Sequence, residues 1–139
     1  MTCKKDEEWV RKKAMGWLEG EGCIKPRGVR FPLAEYKVRQ PDLVGVTKEG
    51  EVYVVECKGG EINRPVQGLE ILYYRALIEK EFKRCMDYLE NRRKEWKEGV
   101  KKARRPKLRF YLALSSNHRG LKLLKYLERR YKIFKVKIF

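Results

Sequence analysis

The stretch Pro41-Asp42-Leu43-Val44-Gly45-Val46-Thr47, Lys48-Glu49-Gly50, Glu51-Val52-Tyr53-Val54-Val55-Glu56-Cys57-Lys58 decides the fold. Two runs rich in β-branched residues flank a three-residue loop ending in glycine. That loop class needs a left-handed residue at its last position, which Gly50 takes without steric cost. The predicted unit is a β-hairpin. With Lys48-Glu49-Gly50 as the loop, Thr47 faces Glu51, Val44 faces Val54 and Asp42 faces Glu56. Residues directly opposite in an antiparallel ladder share a face, with Cβ atoms roughly 5 Å apart. Lys58, two residues beyond Glu56, points to that same face.

Outward from the hairpin, Val10, Ala14, Trp17 and Leu18 recur at helical spacing, predicting a helix over 6–18 that Gly20 and Gly22 stop. Between Gly22 and Arg39 one strand is expected, ending with Ala34, Tyr36 and Val38 alternating against charged neighbours. After the hairpin, Asn63 can cap a helix with Pro65 in its first turn. Its pattern runs through Leu69, Leu72, Ala76, Phe82, Met86 and Leu89 towards Gly99, which is long for a compact domain and implies a break or a projecting arm. Residues 108–114 read as a strand, 120–131 as a helix and 132–139 as a closing strand. The order predicts an α/β domain spanning 1–139, a mixed sheet flanked by helices with an additional C-terminal helix and strand.

Composition narrows the function. There are 35 Lys and Arg against 19 Asp and Glu, a formal charge of +16 on 139 residues, and a field of that sign and size attracts polyanions, nucleic acid foremost. Apolar residues at 42% are enough for a core and too many for a disordered tail. Cys3, Cys23, Cys57 and Cys85 form no CxxC pair, so buried reduced thiols are expected rather than zinc or disulfides. No leader or membrane span is evident, and a cytoplasmic protein is expected. Sparse Asn, Gln, Ser and Thr beside abundant Lys, Glu and Arg suit a thermophile's chain.

The chemistry rests on Asp42, Glu56 and Lys58. Two carboxylates held that close repel unless a cation sits between them, and Mg²⁺ or Mn²⁺ suits oxygen donors. A divalent ion there lowers the pKa of a bound water and polarises a phosphoryl oxygen, while an ammonium orients that water or neutralises the phosphorus centre. Glu-x-Lys also occurs at Glu35, Glu81 and Glu95. Only Glu56 ends an apolar strand in register with an upstream aspartate. The bland reading of the trio is a solvated salt-bridge ladder of little energetic consequence.

Pro41-Asp42 followed by Glu56-Cys57-Lys58 resembles the signature of the PD-(D/E)XK nuclease superfamily, and the order helix, strands, hairpin, helix, strand is similar to its restriction-endonuclease-like core over about 6–114. The resemblance implies a magnesium-dependent DNA endonuclease, with structure-directed action in repair, recombination or defence among the expected roles. It makes Asp42 and Glu56 metal ligands, the Cys57 carbonyl a further ligand and Lys58 the catalytic lysine. The superfamily usually adds an acid from the first helix; Glu7, one turn before Val10, is the choice, with Asp6 and Glu8 as alternatives. Gln67 stands where many relatives carry a glutamine, but Ile71 occupies the tyrosine position of the QxxxY branch. Small archaeal Holliday-junction resolvases are similar in size and charge, without a matching serine loop ahead of Asp42.

Residues 92–107 carry nine basic residues against two acidic ones. Arg92, Arg93, Lys94, Lys101, Lys102, Arg104 and Arg105 are therefore candidate phosphate contacts, equally readable as a solvated face. His118, in a Ser-Ser-Asn-His turn, reads as a surface loop residue. Trp9, Trp17 and Trp96 read as packing anchors. The expected partner is DNA, with RNA also open, and a homodimer follows if both strands are cut. The alternative is a basic nucleic-acid-binding module that keeps the nuclease fold without cutting.

Overall fold

The computed structural model describes residues 6–37, 40–59 and 67–139, with 67–69 described by backbone alone. Helix α1 spans Glu7–Gly20, and the Asp6 carboxylate accepts a hydrogen bond from the Trp9 N–H at 2.9 Å, the usual side-chain cap for a helix's unpaired donors. Its Val10, Ala14 and Leu18 are wholly buried. The hairpin forms as expected. Strand β1 (Leu43–Val46) pairs antiparallel with β2 (Val52–Lys58), with Val44 opposite Val54, and Gly50 takes φ +94° in the loop.

Helices α2 (Gln67–Lys80) and α3 (Phe82–Arg92) follow, then α4 (Lys97–Lys102). The long helical pattern is thus broken, at Glu81. Asn63 and Pro65 lie outside the described residues. Strand β3 (Leu108–Leu114), helix α5 (Leu121–Tyr131) and strand β4 (Lys135–Ile138) close the chain. The sheet order is β1-β2-β3-β4; β2, β3 and β4 run parallel and β1 antiparallel to β2. The protein is therefore α/β, a four-stranded mixed sheet with several helices.

Strand alternation sorts the core into two layers. Val52, Val54, Phe110, Leu112 and Leu114 face Ile71, Ile78, Leu89, Trp96 and Leu124, while Tyr53, Val55, Cys57 and Ala113 face α1. Burying each such aliphatic side chain stabilises by about 1.5–3 kcal/mol. Every residue of β2 is buried, as a central strand covered on both faces should be. Trp96 is a packing anchor, fully buried with its indole N–H donating to the Ile24 carbonyl at 2.6 Å. Trp17 meets the Tyr111 ring edge-on at 4.7 Å.

One expected strand is absent among the described residues. Ala34–Tyr36 forms a 3₁₀ turn, and Lys37 closes it at φ +52°. The backbone here finds local partners: the Gln40 side chain bonds both the N–H and the carbonyl of Phe31, so no neighbouring strand is needed. The region meets the sheet along β1 through an isolated bridge, Arg27 to Val44, and through the Ile24 N–H, which donates to the Val46 carbonyl at 3.0 Å. Val38 lies outside the described residues. Cys23, Cys57 and Cys85 are free and buried, as expected, and Cys3 is not among the described residues. No described helix is long and apolar enough to cross a membrane.

Candidate metal centre

The hairpin register continues past Leu43 and Val55 to set Asp42 beside Glu56. Asp42 is locked there because its Oδ2 accepts a hydrogen bond from the Cys57 N–H at 2.7 Å. Glu7 arrives from α1, on the opposite face of the sheet, over the end of β2. Gly59 makes that approach possible: a Cβ there would lie 2.7 Å from the Asp6 carbonyl carbon and the Glu7 nitrogen. Carboxylate oxygens of Glu7, Asp42 and Glu56 all fall within 4.8 Å of one another.

Lys58 completes the cluster. Its Nζ stands 3.6 Å from Glu56 Oε1 and 3.5 Å from Glu70 Oε2. Glu56 and Lys58 are 3% and 4% exposed, and burying ions costs several kcal/mol each unless they are well partnered. Glu56 is poorly partnered, since its Oε2 is buried without a hydrogen bond among the described residues. Burial, then hydrogen bonding to Asp42 and the charge of Asp42, push the Glu56 carboxyl up to about 9, against the downward pull of Lys58. Desolvation and like charge outweigh the ammonium, so a proton or a cation belongs at this position.

The donors are hard oxygens from three carboxylates, a set that suits Mg²⁺ or Mn²⁺ and not a thiophilic metal. The Cys57 thiol lies on the α1 side of β2. Burial, followed by the charges of Asp42, Glu56 and Glu7, raises its pKa well above the usual thiol range, leaving it a protonated core group. Among the first-helix acids only Glu7 joins the cluster; Asp6 caps the helix and Glu8 is exposed. Gln67 begins α2, but its side chain is outside the described atoms.

Two residues near the cluster escaped the sequence reading. Glu70, in the first turn of α2, lies one helical turn past Gln67 on the same side, a spacing that could have flagged it. His118 is not a surface residue: it is 5% exposed, and its Nδ1 accepts the Gly120 N–H at 3.0 Å. Burial and then the Lys58 charge lower its pKa. The Ser-Ser-Asn-His segment does turn, but β3 pairs with β2 so that Leu114 lies beside Lys58, and the turn folds over that end. The cluster thus sits outside the carboxyl ends of parallel strands, where open α/β sheets usually carry their sites.

The basic run is elsewhere. Gly50 abuts Lys102, and the Lys107 ammonium donates to the Glu49 carbonyl at 2.9 Å, so residues 92–107 wrap the loop end of the hairpin. From Val52 to Glu56 is roughly 13 Å along an extended strand. Arg92, Lys94, Lys101, Lys102, Arg104 and Arg105 are exposed there, whereas Arg93 is half-buried and pairs with Glu95. No protein-family model matches the chain, and no curated protein or solved structure matches it significantly.

Proposed function

We propose that this protein is a divalent-metal-dependent DNA endonuclease with a restriction-endonuclease-like core of the PD-(D/E)XK kind. The observation that carries the reading is the convergence of Glu7, Asp42 and Glu56 oxygens within 4.8 Å beside the buried Lys58 ammonium. A pure binding module has no reason to bury carboxylates where phosphate must approach. Glu7, Asp42 and Glu56 would hold Mg²⁺ or Mn²⁺, with the Cys57 carbonyl as a further donor, and the orphaned Glu56 Oε2 is the atom a cation would satisfy. When bound, such an ion supplies Lewis acidity and a water of lowered pKa.

The chain's own groups supply position and charge. Glu56 and Glu70 flank the Lys58 ammonium and fix it beside the carboxylates, where it donates hydrogen bonds to the attacking water or to a non-bridging phosphate oxygen. A preorganised donor at that point stabilises the charge that grows on the phosphoryl oxygens. Asp42 has no freedom to swing away, because the Cys57 N–H holds it. The +16 charge draws the polyanion to the surface, and cutting both strands of a duplex calls for two copies of the site.

The test is a cleavage panel with supercoiled, linear and four-way-branched DNA in Mg²⁺, Mn²⁺ or EDTA, comparing wild type with Asp42→Ala and Lys58→Ala. Metal-dependent nicking lost in both variants is the expected result. Gel shifts without cleavage would select a non-catalytic DNA-binding module instead, and undiminished cleavage by the variants would remove the catalytic assignment.

A further inference from the structure

The molecule carries a concave site far from the acidic cluster. A cleft of about 630 Å³ opens beneath the end of α5, against the first residues of β3 and β4. That volume lies within the range of small-ligand pockets. From Leu108, at its edge, to Leu114, beside Lys58, is roughly 20 Å along the strand.

Five cations from four places in the fold line it: Arg75 of α2, Arg109 of β3, Arg129 and Lys132 at the end of α5, and Lys135 of β4. Its one acid, Glu128, is already engaged, accepting the Val136 N–H. Two guanidiniums are held in place. Arg75 donates to the Ile133 carbonyl at 2.6 Å and pairs with Glu79, and Arg109 pairs with Glu51 at 3.3 Å. Arg129, Lys132 and Lys135 are exposed and join no ion pair among the described residues.

A basic last turn is the ordinary complement of a helix C-terminus, and that accounts for Arg129. It does not account for cations converging from α2, β3 and β4. The floor is apolar, formed by Phe110, Ile133 and Phe134. Anion donors on a rim above an apolar floor match a nucleotide unit, phosphate above and base or sugar below.

We propose that this cleft holds a nucleotide unit of a nucleic-acid strand at a distance from the acidic site. The proposal rests on the nucleic-acid part of the functional reading and not on hydrolysis, so binding is measured in EDTA.

The experiment is fluorescence anisotropy with a labelled single-stranded DNA dodecamer across a salt series. Arg129→Glu with Lys135→Glu is compared with Lys12→Glu with Lys122→Glu, which changes net charge equally at exposed positions outside the cleft. Expected is a loss about tenfold greater for the cleft pair, with a salt slope flatter by about 1.4, the amount for two single-strand phosphate contacts. Lys132→Gly serves as a gentler variant. Lys132 sits at φ +54°, a conformation glycine adopts freely, so the charge is lost without harm to the backbone and affinity falls about threefold.

Equal losses in cleft and control pairs would overturn the proposal, as would wild-type binding of free dTMP as tight as that of the dodecamer. Cleft variants that lose strand binding in a protein that never cuts DNA would support the cleft and dismiss the nuclease. Cleavage with no effect of the cleft variants would do the reverse.

Discussion

Replacing Glu56 with glutamine separates the proton from the cation at the acidic cluster. Its carboxyl is pushed up to about 9, first by burial, then by hydrogen bonding to Asp42 and the Asp42 charge. At pH 7 it therefore holds its proton, and ionising it across those two pH units costs on the order of 3 kcal/mol. A divalent ion must displace that proton. Mn²⁺ affinity should accordingly rise about tenfold per pH unit between pH 6 and 8 and level off near 9, with about one proton released per ion at pH 7.

The folded pKa lies above the ordinary value of 4.5, so the stability that protonated Glu56 contributes is full below 4.5 and is lost as pH rises towards 9. Glu56→Gln imitates the protonated acid. The metal-free variant should match wild type at pH 5, exceed it increasingly up to pH 9, and bind Mn²⁺ weakly at every pH. Calorimetric titration in buffers of differing ionisation enthalpy counts the protons, and thermal melts give the stability difference. Mn²⁺ binding that is independent of pH and releases no proton would refute the reasoning, because Lys58 would then already hold Glu56 ionised.

Other consequences follow from close contacts and burial. Gly59→Ala places a Cβ 2.7 Å from the start of α1 and must displace Glu7; Mn²⁺ affinity should fall by about tenfold, with a stability loss of about 1–3 kcal/mol in urea titration. Gly99→Ala sets a Cβ 2.0 Å from the Thr47 carbonyl oxygen and should cost about 3 kcal/mol or more, read as a lower urea midpoint. His118 has a folded pKa below 6.5, through burial and Lys58, so its contribution to stability is full above pH 6.5 and is lost as pH falls below it. The melting difference between wild type and His118→Gln should therefore be constant above pH 6.5 and change only as pH falls below it.

The hairpin was legible because its information is local. Gly50 marks the loop, and counting outward from it fixes the side of every residue from Asp42 to Lys58, so the register that joins Asp42 to Glu56 needed no tertiary knowledge. The resemblance called for an acid on the first helix, and spacing to Val10 favoured Glu7 while leaving Asp6 and Glu8 open. The C-terminal strand, helix and strand were equally plain, because each apolar run has clean period and clear breaks.

The failures share a cause. Ala34 and Tyr36 alternate as a strand would, yet the Gln40 side chain satisfies Phe31 and removes the need for a neighbour. His118 lies in a real turn, and only the parallel pairing of β3 with β2 carries that turn onto Lys58. Glu70 faces the cluster because α2 returns over the sheet. The basic run was conspicuous in one dimension, but α4 packs it against the hairpin loop, at the end of β2 away from Glu56. The cleft at α5 gathers cations scattered from Arg75 to Lys135, and no sequence window contains them.

The most direct test of the central claim is a crystal of the protein grown with Mn²⁺ and measured for anomalous scattering. The account predicts a peak bounded by Glu7, Asp42 and Glu56, with Lys58 retained between Glu56 and Glu70. A map with no peak among those three carboxylates, or with manganese only on scattered surface acids, would contradict it.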